Sequence, residues 1–161
     1  MWKLLTFSMI IGVAVSCKNS SPLYSEEKKE VEVFLDKYKQ LLQNAKFDSV
    51  ALLYVDTGFI SIGGGDMAIQ NIDSIKAFYS RFPKIQNDFR WENTRIDVLS
   101  KNAALINSLF YWHDKNSPDT TKFSYTGVFI KPQNVWKIIN EHESIDVATL
   151  TKLIKSSEQK Q

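Results

Sequence analysis

Apolar residues recur at helical spacing through Val31, Phe34, Leu35, Tyr38, Leu41, Leu42 and Ala45. That spacing gathers them on one wide face, so the pattern predicts a long amphipathic helix. Ser25 is its expected N-cap, with Glu26 and Glu27 in the first turn, where the helix dipole favours acids. Asp48 is expected to cap a second, short helix, with Phe47 and Leu52 placed as a hydrophobic staple and Val50, Leu53 and Tyr54 on its buried side. Thr57–Ile62 is β-prone and ends at Gly63-Gly64-Gly65-Asp66. No Lys-Ser/Thr pair follows these glycines, so they read as a turn rather than a phosphate cradle. A third helix is expected over Asp73–Phe82, with Ile75, Phe78, Tyr79 and Phe82 on one face and Pro83 as its stop.

The second half changes period. Four β-prone runs follow one another, Phe89–Leu99, Ala103–His113, Lys122–Lys131 and Val135–Ser144. Lys115–Asp119 is a long turn, and Lys131–Val135 a tight one in which Asn134 tolerates a left-handed backbone. Pairing Lys131 with Val135 sets Val128 opposite Ile138, Thr126 opposite Asn140 and Ser124 opposite His142. Strict alternation along the last run gives an inner face of Trp136, Ile138, Asn140, His142 and Ser144. Lys137, Ile139, Glu141 and Glu143 fall on the other, solvated face. A strand whose inner face starts apolar and turns polar is leaving a core and entering a pocket. The opposite face of the hairpin shows Phe123, Tyr125 and Phe129, more aromatic than a solvated face needs, and is the expected interface of a homodimer. By the same alternation Asp97 and Glu92 lie on opposite faces and do not form an acid pair.

Composition narrows the reading. A chain of 161 residues with 43% hydrophobic and 12% aromatic content supports one domain with a real core. A net charge of +2 with no basic block gives no reason to expect nucleic acid. Two His and one Cys leave too few ligands for a zinc site, and no other cofactor is indicated.

The single Cys lies at the end of a tripartite start. Lys3 is a positive n-region, Leu4–Val15 an apolar stretch too short to span a bilayer, and Ala14-Val15-Ser16-Cys17 closes it with small residues. This resembles a bacterial lipobox, which implies lipidation of Cys17. The expected organisation is a signal peptide over 1–16, lipidated Cys17 and tether over 17–24, a domain over 25–146 and a tail over 147–161. Two or more acyl chains on Cys17 suffice for stable anchoring. Lys18, where an Asp would favour inner-membrane retention, implies the outer membrane facing the periplasm.

Helices first, then a curved antiparallel sheet ending in Phe129-Ile130-Lys131…Trp136-Lys137-Ile138…His142-Glu143-Ser144, resembles the nuclear-transport-factor-2-like superfamily and its SnoaL-like branch. Leu53-Tyr54…Asp56…Phe59 adds a weaker match. The resemblance covers roughly Ser25 to Ser144 and implies an α+β cone, with the sheet wrapped around the long helix, two shorter helices, and a pocket at the open end. That superfamily holds isomerases, cyclases and dehydratases beside non-catalytic binding domains, so fold alone does not assign function. Within it, ketosteroid isomerase uses an Asp base with a Tyr and a protonated Asp as hydrogen-bond donors. Tyr54 and Asp56 offer the same residue types.

His142 and Asp56 are therefore the candidate acid–base residues, and Tyr54, Thr126, Asn140, Ser144 and Trp136 the candidate pocket lining. Each also has a structural reading: a satisfied buried His, a turn-stabilising Asp, core aromatics. The leading expectation is a lipid-anchored envelope protein whose cone binds a small apolar or carbonyl-containing molecule. An acid–base enzyme acting on a carbonyl compound and a non-catalytic dimeric scaffold are the alternatives.

Overall fold

The structure, a computed structural model, describes residues 23–63, 67–82, 84–113, 120–145 and Thr151. Expectations for the signal segment, Cys17, Pro83, the Lys115–Asp119 turn and most of the tail lie outside these residues. Helix α1 runs Ser25–Gln43 and buries Val31, Phe34, Leu35, Tyr38 and Leu42, the stripe that its periodicity marks. Tyr24, with φ 65°, holds the cap position, so Ser25 opens the helix instead of capping it. Helix α2 spans Phe47–Ala51, with Asp48 in its first turn and no side-chain cap. Phe47 is buried while Leu52 is 57% exposed, so no staple forms. Helix α3, Ile72–Tyr79, is capped by Asn71, whose side chain accepts from the Ser74 backbone N–H. Among the described residues no helix is long and apolar enough to cross a membrane.

Six strands form one sheet: β1 Tyr54–Ile62, β2 Met67–Gln70, β3 Arg90–Ser100, β4 Ala103–His113, β5 Thr120–Ile130 and β6 Lys137–Ile145, in the order β2-β1-β6-β5-β4-β3. The sheet is mixed rather than wholly antiparallel, because β1 runs parallel to β6. The α1–α2 hairpin delivers β1 at the end where β6 begins, and the Ile138 N–H donates to the Leu53 carbonyl there. The short β2, absent from the sequence expectation, pairs with β1 through Phe59–Ile62. The helices pack on the inner face, where Phe34 meets Phe129 edge-on at 5.0 Å and Tyr38 meets Trp91 at 5.9 Å.

One irregularity decides what the sheet presents inward. The turn into β6 uses two left-handed residues, Gln133 (φ 51°) and Asn134 (φ 61°). Beyond it Phe129 faces Ile138, yet the adjacent Val128 faces Asn140, so Ile139 is an extra residue on β6. A bulge of this kind reverses alternation for everything that follows. Thr126 therefore faces His142 and Ser124 faces Ser144, two residues out from the sequence pairing. Ile138 points inward before the bulge; Glu141 and Glu143 do so after it.

Two further expectations fail for related reasons. Tyr125 and Phe129 are 2% and 0% exposed, and Phe123 stacks on the inward Phe110 at 4.6 Å. That aromatic face belongs to the core and is not a free surface. Glu92 and Asp97 share the outer face, because a slip between Glu92 and Arg95, where Asn93 has φ 53°, adds one residue to β3.

Candidate functional site

Glu141 is fully buried, on the inner face of β6, with no exposed area at all. A carboxyl so placed must find donors or stay neutral. Here donors come from three elements. Tyr38 of α1 and Tyr125 of β5 donate to its Oε2 at 3.3 and 3.1 Å, and Tyr54, the first residue of β1, donates to Oε1. Tyr79, at the end of α3, closes the ring through the hydroxyls of Tyr38 (3.2 Å) and Tyr54 (3.1 Å). Gly127 makes room for this cage. It pairs with Glu141 across β5 and β6, and a Cβ there would come within 2.5 Å of the Tyr125 hydroxyl.

Desolvation pushes the Glu141 carboxyl up to about 7, against the lowering effect of the hydrogen bonds from Tyr54, Tyr125 and Tyr38. Burial, and then the nearby Glu141 charge, holds all four tyrosine hydroxyls well above their ordinary range. Glu143 follows two residues on, on the same face. Its carboxyl has no hydrogen-bond partner among the described residues, and desolvation followed by repulsion from Glu141 raises it well above the usual carboxylate range. Both acids thus keep protons to unusually high pH.

Glu143 forms part of the wall of a part-enclosed cavity of about 260 Å³. The remaining wall is mostly aromatic, with Phe47, Phe78, Phe82, Phe110, Trp112 and Phe123 prominent beside Leu42 and Ile62, and the rings of Tyr38 and Tyr79 lead from it to Glu141. Phe82 lies 5.5 Å from Phe47 and 6.2 Å from Trp112, so neighbouring rings brace one another. An apolar cavity of about 150 Å³ accepts benzene, so this one has room for one ring with a compact substituent. Chemically, it offers aromatic faces and a single carboxyl.

The sequence candidates divide between the two sides of the sheet. Tyr54 belongs to the cage. His142 and Asn140 are exposed, and Ser144 and Thr126 half-buried, all on the outer face. They do come together there: His142 Nδ1 lies 3.2 Å from Ser61 Oγ, and Thr126 donates to Asn107 Oδ1 at 3.1 Å. The bulge at Ile139 is what turned them away from the cavity. Asp56 is exposed on β1, and neither it nor His142 lines the aromatic cavity. Trp136 is buried elsewhere, beneath a groove between α1 and the β5–β6 turn, donating to Glu30 Oε2 at 2.9 Å beside Lys131. Hydrogen bonds from Lys131 and Trp136 hold the Glu30 carboxyl low.

Glu141, Glu143, Tyr38, Tyr79, Tyr125 and Gly127 were not sequence candidates. The available signal was two acids two apart on one face of the last strand, which reads as a solvated face until the bulge is known. Among the described residues, no three His, Cys, Asp or Glu side chains converge to hold a metal ion.

Solved structures share this architecture. A ketosteroid isomerase-like protein from Erwinia carotovora atroseptica superposes with a TM-score of 0.64 at 17% identity, over 75% of this chain and 97% of that one. ActVI-ORFA from Streptomyces coelicolor gives 0.62 at 16%, over 76% and 98%. An NTF2-like protein with a cystatin-like fold from Novosphingobium aromaticivorans gives 0.62 at 12%, over 78% and 88%. At these identities the likeness shows the fold alone. Among curated proteins no sequence matches. The family model of the SnoaL-like domain matches residues 31–148, which include the helices apart from the first six residues of α1, the sheet and every residue of the Glu141 cage. The chain belongs to the SnoaL-like domain family and carries its nuclear-transport-factor-2-like cone.

Proposed function

We propose that this chain is a lipid-anchored envelope protein, held through Cys17 at the outer membrane facing the periplasm, whose cone binds a small, mostly apolar molecule. The observation that supports binding is the aromatic cavity with the unpartnered Glu143 in its wall. Core packing alone does not call for a carboxyl at that place. Native mass spectrometry of the chain isolated from its own envelope tests this. The expected result is a reproducible small-molecule adduct that is lost in Trp112→Ala while the fold is kept. A chain that is always empty, and that takes up nothing from a panel of single-ring compounds, would sink the reading.

A second reading, acid–base catalysis on the bound molecule, is favoured by one observation: the Glu141 carboxyl sits near neutrality. In that reading Glu143 touches the substrate and exchanges the proton. Glu141, held by its tyrosines, is a positioning residue that sets how tightly Glu143 keeps it. The name of the ketosteroid isomerase-like neighbour is compatible with such chemistry.

A further inference from the structure

We propose that the cavity selects a cation: a small organic ammonium compound with an apolar body, its charge held between the aromatic faces and Glu143. The inference rests on the small-molecule reading and adds the chemical class of the ligand.

Three observations converge on it. First, the inner face of β6 carries two carboxyls, while none of the described residues lining the cavity is Lys, Arg or His. No basic side chain among them offers an anion a partner. Second, the two acids are treated differently. Glu141 accepts from three tyrosines and is complete, whereas Glu143 lacks a hydrogen-bond partner and faces open space. Third, apart from Leu42 and Ile62 the rest of the wall is aromatic, and aromatic rings attract a cation through their quadrupole and offer a neutral polar group little. A neutral acceptor would use Glu143 as a donor and gain nothing electrostatic from the rings. An ammonium group uses both. The cavity's size, about 260 Å³, fits a trimethylammonium or amine head on one ring.

The titratable groups facing Glu143 are Glu141 of β6, Tyr38 of α1, Tyr79 of α3 and Tyr125 of β5. The tyrosines are held well above their ordinary range, so the two acids are the groups whose protons a change of pH moves first. Raising the pH frees Glu143 of its proton and strengthens its hold on a cation. A neutral molecule of the same shape is indifferent to that change.

The test compares phenyltrimethylammonium with tert-butylbenzene, its uncharged isostere, by ligand-observed NMR on the full chain. The quaternary compound cannot itself titrate. We expect it to bind about tenfold or more tightly than the isostere at pH 8, and to weaken as the pH is lowered and Glu143 takes up its proton, while the isostere holds steady. Glu143→Gln should erase both the preference and the pH response and leave isostere binding unchanged. If that variant does not fold, the pH series on the unaltered chain still decides. Equal binding of the two probes without a pH response overturns the cation inference and leaves the small-molecule reading standing. Binding of neither overturns both. Cation binding untouched by Glu143→Gln in a folded variant overturns the role of Glu143.

Discussion

At the scale of single residues, Glu141 is the most informative side chain in the molecule. It is enclosed, uncompensated by any cation among the described residues, and held by tyrosines that keep their own protons. Its carboxyl lies at about 7 in the folded chain, against about 4.5 when solvated. In the window between those values the folded chain holds a proton that the unfolded chain has released. Stability is therefore greatest below the window and falls as pH rises through it, by roughly 3 kcal/mol for a shift of this size. Glu143, raised in the same direction, adds to the fall. Glu141→Gln is always neutral and nearly isosteric, and one tyrosine hydroxyl need only turn to accept from the amide. Urea unfolding from pH 4 to pH 8 should show the variant losing Glu141's share of the slope and becoming more stable than the parent at pH 8. An unchanged slope would mean that Glu141 is ionised throughout, and that the cage is an anion-binding device instead.

At the scale of elements, the strand β6 shows what a linear reading can and cannot see. The helices were legible because their stripes are set by a period that nothing interrupts; Val31, Phe34, Leu35, Tyr38 and Leu42 are all buried. Strand positions were legible too, and β4 runs over Ala103–His113, as its apolar alternation predicts. The inward face of β6 was not. A single extra residue, Ile139, exchanges Asn140, His142 and Ser144 for Glu141, Glu143 and Ile145, and nothing in the local sequence marks it. The cost of a bulge is shared between two strands and the turn that joins them, so its location depends on tertiary packing. Here Phe129 and Ile138, both fully buried, hold the register below it, and Gly127 opposite Glu141 gives the cage its clearance above. The two phases predict opposite mutational patterns. Glu141→Lys should cost about 3 kcal/mol or more, since it buries a charge among hydroxyls and rings. His142→Lys, on the exposed side, should fall within about 0.5 kcal/mol of the parent. Chemical denaturation of the two variants separates the phases, for strict alternation requires the reverse order.

At the scale of the whole molecule, the anchor and the cavity set each other's meaning. The seven residues between Cys17 and Ser25 reach at most about 25 Å, so a lipid on Cys17 would keep the start of α1 close to the bilayer. The cavity is lined by Tyr38 and Leu42, in the last two turns of that helix. With a rise of about 1.5 Å per residue, it lies roughly 20 Å along α1 from the anchored end. On this arrangement a ligand arrives from the aqueous side and need not pass through lipid, which suits a charged compound better than a membrane-borne one. Cys17→Ser should move the chain from the membrane to the soluble fraction after cell fractionation, with phenyltrimethylammonium binding unchanged. A substituted chain that remains with the membrane despite cleavage of its leader would refute the lipid anchor. One that is released but no longer binds would mean that the membrane helps to form the site, and the separation of anchor from cavity along α1 would then have to be given up.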